Sequence, residues 1–342
     1  MDYIRAIATI FVLIQHASWK YCFATPLSGP WLVSLGIQAV VRIGLPIFFI
    51  LSGYLLIKPY PTAASYLTFY KKRLARVLPL AVLWSYVYFV YKQGTLDPIW
   101  FLREFIQGPT AYHLWFIYCI IGLYIITPFI SNIITTAKTE HLLALLFASF
   151  IAYTVKPILQ AIGVNGILIN TFYFQFTMYF IAGYAIRRIL DEHRYSNYNM
   201  PMLLVCMTGM TFLLSFFTPG PVSPVSTKVA FQAYDQSIFL FVACLAFFIM
   251  VMRWNLPNNM PIRFISDRSF GIYLSHPMFI WIYGKILSPH NPYVDMFACI
   301  VFTLSCAITL EIMLSWAKRT FRERWRNRRD RPLLYSRFFA AR

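Results

Sequence analysis

Tyr112–Asn132 reads YHLWFIYCIIGLYIITPFISN, a stretch without one Asp, Glu, Lys or Arg. Wound as a helix at about 1.5 Å per residue, it is about 30 Å long, the thickness of a bilayer's hydrocarbon core. Similar apolar runs recur on both sides of it, at 3–22, 36–57, 74–92, 141–156, 167–188, 201–218, 235–253, 268–287 and 293–317. The fold class expected is therefore all-α: a polytopic membrane protein of about ten transmembrane helices. A β-barrel would show short alternating segments instead. A soluble domain of this size would carry about a quarter charged residues, whereas this chain is 12% charged and 59% hydrophobic, with a mean hydropathy of +0.60. The first run follows closely on Arg5 and lacks a small-residue cleavage site, so it reads as the first span rather than a cleaved leader.

Lys and Arg set the orientation. With the N-terminus inside, the inner side receives Arg5, Lys58, Lys71, Lys72, Arg73, Arg76, Lys138, Arg187, Arg188, Arg194, Arg253, Arg263, Arg268 and ten residues after 317, making 23. The outer side receives Lys20, Lys92, Arg103, Lys156, Lys228 and Lys285, making six, and Arg42 falls within a span. The bias predicts both ends inside and an even number of spans. It also accounts for the net charge of +18 without nucleic acid. The ten basic residues of the tail, 318–342, suit the anionic lipid of the cytoplasmic leaflet. The six cysteines (Cys22, Cys119, Cys206, Cys244, Cys299 and Cys306) form no CxxC pair, so no zinc or redox site is expected. No internal repeat and no domain linker is visible. Thr218–Ser226 (TPGPVSPVS) reads as irregular, and Pro98–Ile106 as a short helix lying on the membrane.

Charged and imidazole groups inside a span are costly and mark function by default. Arg5 and His16 are 11 residues apart, so they share one face of the first span, about 16 Å apart along its axis. Alternatively they are a snorkelling arginine and a hydrogen-bonded core histidine. In the second span, Ser52 and Gly53 permit close backbone approach to a ligand, or a helix–helix contact of small residues. Arg73 and Arg76 are neighbours on a helix, suited to phosphate or to ordinary positive-inside charge. His113, Trp115 and Tyr118 offer aromatic faces and a polar handle to a sugar ring, or form part of an interfacial aromatic belt. His276 precedes Pro277, where a kink frees backbone acceptors. Arg42 and Glu311 are further intramembrane charges, and Arg42 is a candidate to reach His16 or a substrate oxygen.

Five segments, in this order, resemble the acyltransferase-3 family of membrane acyltransferases: RAIATIFVLIQH (Arg5–His16), RIGLPIFFILSGYL (Arg42–Leu55), KKRLARVLP (Lys71–Pro79), YHLWFIYCIIGLYIITP (Tyr112–Pro128) and SFGIYLSHP (Ser269–Pro277). The fourth looks most like the shorter members that O-acetylate envelope glycans. Ala6 stands where the family usually has Gly. Larger relatives carry an extra-membrane SGNH hydrolase-like domain, absent here, so the protein is expected to use its acceptor directly or with a partner.

The resemblance implies a transmembrane acyltransferase domain over 1–317, a basic cytoplasmic tail over 318–342, and a place in the cell inner membrane. It implies transfer of an acetyl or other acyl group from cytoplasmic acyl-CoA to a hydroxyl of an envelope polysaccharide or lipid-linked glycan. Acetyl-CoA would be a donor substrate, with no permanently bound cofactor and no metal. On this reading His16 and Arg5 are catalytic, and Arg73, Arg76, Ser52 and Gly53 bind the donor. Arg42, His113, Trp115, Tyr118 and His276 bind the substrate. His16 would act as general base or as a covalent acyl carrier, with Arg5 or Arg42 facing the oxyanion. The rival reading is a proton-coupled transporter or flippase of a glycan-pathway intermediate, against which stands the lack of an inverted repeat.

Overall fold

The computed structural model describes residues 1–25, 27–161, 172–192, 199–217, 237–254, 256–257, 259–287 and 289–329. Among the described residues every regular element is helical. In chain order these are α1 (Asp2–Ser18), a 3-10 helix (Trp19–Phe23), α2 (Gly29–Val41), α3 (Gly44–Leu56), α4 (Ala63–Gln93), α5 (Pro98–Gln107), α6 (Trp115–Thr136), α7 (Thr139–Ala161), α8 (Phe172–Asp191), α9 (Met200–Phe217), α10 (Ile238–Arg253), α11 (Met260–Ile286) and α12 (Pro292–Arg329). The irregular stretch Thr218–Ser226, Arg194, Lys228 and the tail beyond Arg329 lie outside the described residues, as do the first residues of the span expected at 167–188.

Among the described residues four segments are long and apolar enough to cross a membrane: Gly29–Leu56, Ala63–Gln93, Trp115–Thr136 and Pro292–Ala317. Large apolar side chains cover the outside, with Ile133, Val205, Phe297 and Trp316 each about 70% exposed. A surface this apolar suits lipid rather than water. Among the described residues the stretches expected as spans are helical, and the four above meet the length and hydropathy of a crossing.

The segment expected as one span at 36–57 is two helices with a break at Arg42 and Ile43. Pro46 has no N–H to donate to the Arg42 carbonyl four residues back, so the ladder cannot run through. The first span expected at 3–22 ends at Ser18 and tightens into the 3-10 turn. α5 forms where a surface helix is expected. The Asp97 carboxylate accepts from the amides of Ile99 and Trp100 to start it, and Ile99 and Ile106 face outward. α12 runs past residue 317 without a break; its 38 residues span about 57 Å at 1.5 Å each, longer than the bilayer core.

α1 is the central post, packed against α2, α3, α11 and α12. Its contact faces carry small buried residues, Ala6, Ala8, Thr9, Ala17 and Ser18. A Cβ added at Gly44 of α3 would sit 2.8 Å from Phe11 Cβ and 3.0 Å from the Ala8 carbonyl oxygen. α3 and α8 touch backbone to backbone: a Cβ at Gly53 would overlap the Phe180 carbonyl, and one at Gly183 the Ile50 carbonyl. Such close crossings are how helices associate in lipid, where no hydrophobic effect holds them together.

Gly53→Val and Gly183→Val should each lower thermal stability in detergent by roughly 1–3 kcal/mol or more, the cost of overpacking a tight contact. Gly122→Ala, which has no atom within 4 Å of the new methyl, should leave the melting temperature unchanged.

Candidate active site

α1 and α11 lie side by side, and each lines the interior with a mixed polar and apolar stripe at helical spacing. On α1 and the 3-10 turn after it the stripe runs Arg5, Val12, His16, Lys20. On α11 it runs Ser266, Ser269, Tyr273, His276, Ile280, Gly284, a length of about 27 Å, close to a full bilayer core. Two chambers open along these stripes.

The first chamber, of about 270 Å³, is lined by Arg5, Ser52, Arg73, Arg76, Tyr124, Asp267 and Ser269 among others. Three guanidinium groups from two helices, Arg5 on α1 and Arg73 with Arg76 on α4, thus face one space. Arg5 is held in place: its Nη1 donates to Ser266 Oγ (2.9 Å) and lies 3.6 Å from Asp2 Oδ1, which in turn accepts from Ser266 (2.7 Å). Planar guanidinium donors in a fixed cluster fit a phosphate-bearing ligand.

The second chamber, of about 570 Å³, is lined by Gln15, His16, Trp19, Lys20, Arg42, Tyr112, His113, Trp115, Tyr273 and Trp281 among others. The His16 ring lies 5.1 Å from Tyr112 and 5.2 Å from His276, centroid to centroid, and His276 meets His113 edge-on at 5.4 Å. Three imidazoles from α1, the turn before α6, and α11 therefore converge. Pro277 explains the pose of His276. It cannot donate to the Tyr273 carbonyl, and His276 Nδ1–H takes that acceptor instead at 2.7 Å. His276 Nε2 is buried and has no protein partner. The His113 ring is likewise buried and near the Leu274 carbonyl, without hydrogen-bond geometry to it. Arg42, 5% exposed, places its guanidinium 5.6 Å from the Trp19 ring centre. At the rim, the Asp295 carboxylate accepts from Lys20, Tyr21 and Tyr283, tying the start of α12 to the end of α1.

Residues 1–312 match the family model described as an acyltransferase domain. The chain belongs to the acyltransferase-3 family. No curated protein and no solved structure matches it.

As an acyltransferase-3 protein it is a membrane acyltransferase, and the structure gathers most of the residues that the sequence singles out. Arg5, Ser52, Arg73 and Arg76 line one chamber; His16, Arg42, His113 and Trp115 line the other; His276 backs onto His16. Three residues sit differently from expectation. Arg5 does not share a chamber with His16, because the shared helix face places it about 16 Å lower, at the phosphate-suited end. Gly53 faces the α8 backbone rather than either chamber. The Tyr118 hydroxyl donates to the carbonyls of Phe105 (2.8 Å) and Gly108 (3.2 Å), so it anchors the end of α5. Tyr273, Tyr112 and Trp281 line the site without having been assigned a role from sequence. Helical spacing from His276 and adjacency to His113 are the signals that mark the first two.

Removing the Asp295 carboxylate takes this acceptor from the buried Tyr21 hydroxyl and leaves Tyr283 with the main-chain carbonyl of residue 295 at 3.2 Å. Asp295→Ala should cost roughly 2–3 kcal/mol, as a lost hydrogen-bond acceptor of charged type does. Asp295→Asn, which still accepts, should cost less in the same thermal unfolding assay.

Proposed function

We propose that the protein moves an acyl group, acetyl first among them, from cytoplasmic acyl-CoA to a hydroxyl of an envelope polysaccharide or lipid-linked glycan in the cell inner membrane. The observation that carries this reading is the succession of two chambers along one pair of helices. An arginine-lined chamber suited to phosphates lies at one end of α1, and a chamber of histidines and aromatic rings at the other. The excess of Lys and Arg at one end supports ten spans with both termini inside. The arginine chamber then faces the compartment that holds coenzyme A.

In this mechanism Arg5, Arg73 and Arg76 bind the phosphates of the donor and Ser52 lines its path. The acceptor sugar stacks on Trp115 and Trp281 in the larger chamber. His16 takes the proton from the attacking hydroxyl as oxygen adds to the thioester carbon. The Arg42 guanidinium faces the oxygen that becomes negative. Collapse of the tetrahedral intermediate breaks the C–S bond, and the coenzyme A thiolate recovers a proton. The same imidazole can instead carry the acyl group between the two substrates. Sharing a chamber with His16 favours Arg42 over Arg5 at the oxyanion. The basic tail contributes attraction to anionic lipid and takes no part in the chemistry.

The test uses inverted membrane vesicles and radiolabelled acetyl-CoA, reading label in lipid-linked glycan. Wild type should transfer label, and His16→Ala at matched expression should lose a factor of about 10²–10⁴. Arg73→Ala with Arg76→Ala should raise the KM for acetyl-CoA far more than it lowers kcat. Wild type that transfers no label with donor and glycan both present overturns the reading.

A further inference from the structure

Tyr273 lines both chambers and, among the described residues, is alone in doing so. The linings of the two chambers include the apolar or aromatic Phe48, Phe116, Leu45 and Trp115. The phenol ring stands 5.2 Å from Phe116, 5.6 Å from His113 and 5.8 Å from His276, centroid to centroid. It therefore stands at the boundary between the arginine pocket and the histidine cluster. Its residue is 4% exposed, and its hydroxyl donates to the His113 carbonyl, in the turn just before α6. That bond joins a helix to a turn rather than helix to helix. The larger chamber beside it, about 570 Å³, has ample room for a phenol ring.

We propose that the Tyr273 side chain is the gate between the two chambers and that its opening limits which acyl groups reach His16. With the hydroxyl on the His113 carbonyl the gate is shut. When the ring rotates into the larger chamber, the two spaces join into one passage along α1 and α11. The acyl end of the donor enters first, so the width left beside the displaced ring selects for short chains. The existence of the gate is independent of the acyltransferase reading; only the selection of acyl length rests on it.

A test without turnover uses Cys299, a native cysteine of the larger chamber. A charged, membrane-impermeant thiol reagent is applied to sealed vesicles, either at the face of Arg73 and Arg76 or at the opposite face, and labelling of Cys299 is followed by mass spectrometry. From the arginine face, Tyr273→Ala should be labelled at least about tenfold faster than wild type, as when a minor open state becomes the main one. Tyr273→Phe, which loses only the hydrogen bond, should fall between. From the opposite face all three should react alike, which reports an intact fold and a reactive thiol. Equal labelling from the arginine face, with that control intact, overturns the gate. Should Tyr273→Ala insert poorly, Tyr273→Leu gives the same comparison.

The second measurement compares acetyl-, butyryl- and hexanoyl-CoA as donors. Tyr273→Ala should reduce the preference for acetyl over hexanoyl by about tenfold or more, a difference of the size that added methylenes produce in a fitted pocket. An unchanged preference in a variant whose Cys299 is newly open overturns the selection. A wild type that uses no acyl-CoA at all overturns the enzyme reading instead, while Cys299 still decides whether Tyr273 is a gate.

Discussion

The contact of α1 with α3 is the constraint on which the site rests. Gly44 brings α3 against the backbone of α1 at Ala8 and Val12, closer than any side chain would allow. His16 follows Val12 by one helical turn, and Arg42 precedes Gly44 by two residues. A shift of that single crossing would therefore move the imidazole and the guanidinium relative to each other. Pro46 adds to the effect by ending the hydrogen-bond ladder at Arg42, which lets the chain turn where the arginine must point inward. In lipid, packing of small residues is what such precision can be built on, since apolar side chains are equally content facing the solvent.

The same rule accounts for how the chambers stay polar inside an apolar bundle. A buried polar group without a partner costs free energy that lipid cannot return. Most polar atoms near the chambers are partnered within the protein: Arg5 by Ser266 and Asp2, Asp295 by three donors, His276 Nδ1 by the carbonyl that Pro277 leaves open. The buried groups without protein partners include both ring nitrogens of His113 and Nε2 of His276. These three nitrogens sit together where the proposed chemistry takes place, whereas Gln38 Oε1 and the hydroxyls of Ser85, Ser131 and Thr303, also without a protein partner, lie outside both chamber linings.

The helices were legible in the sequence because lipid demands about 20 apolar residues per crossing, a signal that needs no partner to be read. The chambers were legible in part. Arg5 with His16 and Arg73 with Arg76 follow from helical spacing alone, and the structure places each within a chamber wall. What spacing cannot supply is which helix faces which. Gly53 looked like a place for a ligand to approach, but Gly183, 130 residues later, brings another helix there. Tyr118 looked like part of a sugar platform, but its hydroxyl reaches back to α5. The break at Arg42 was foreshadowed by Gly44 and Pro46 within one span, yet an apolar run gives no indication of whether such residues bend a helix or end it. Tyr273 carried no charge to draw attention, and its importance comes from position between two spaces that exist only in the folded bundle.

On the proposed reading donor and acceptor reach the enzyme from opposite faces of the membrane, which sets access against sealing. A continuous polar passage along α1 and α11 would be a pore, and ions crossing it would dissipate the membrane potential, with each charge gaining about 2.3 kcal/mol per 100 mV. Two blind chambers avoid the leak but keep the thioester from the hydroxyl. A single aromatic side chain between them resolves both demands, because a phenol ring is wide enough to block a narrow neck and turns about one bond. The Phe116 ring packs against it at 5.2 Å, an apolar wall that offers water no partner even when the phenol has moved. The donor itself then fills the opening it requires. On this view the chemistry is placed beyond the neck rather than within it, and this is where the three histidines converge.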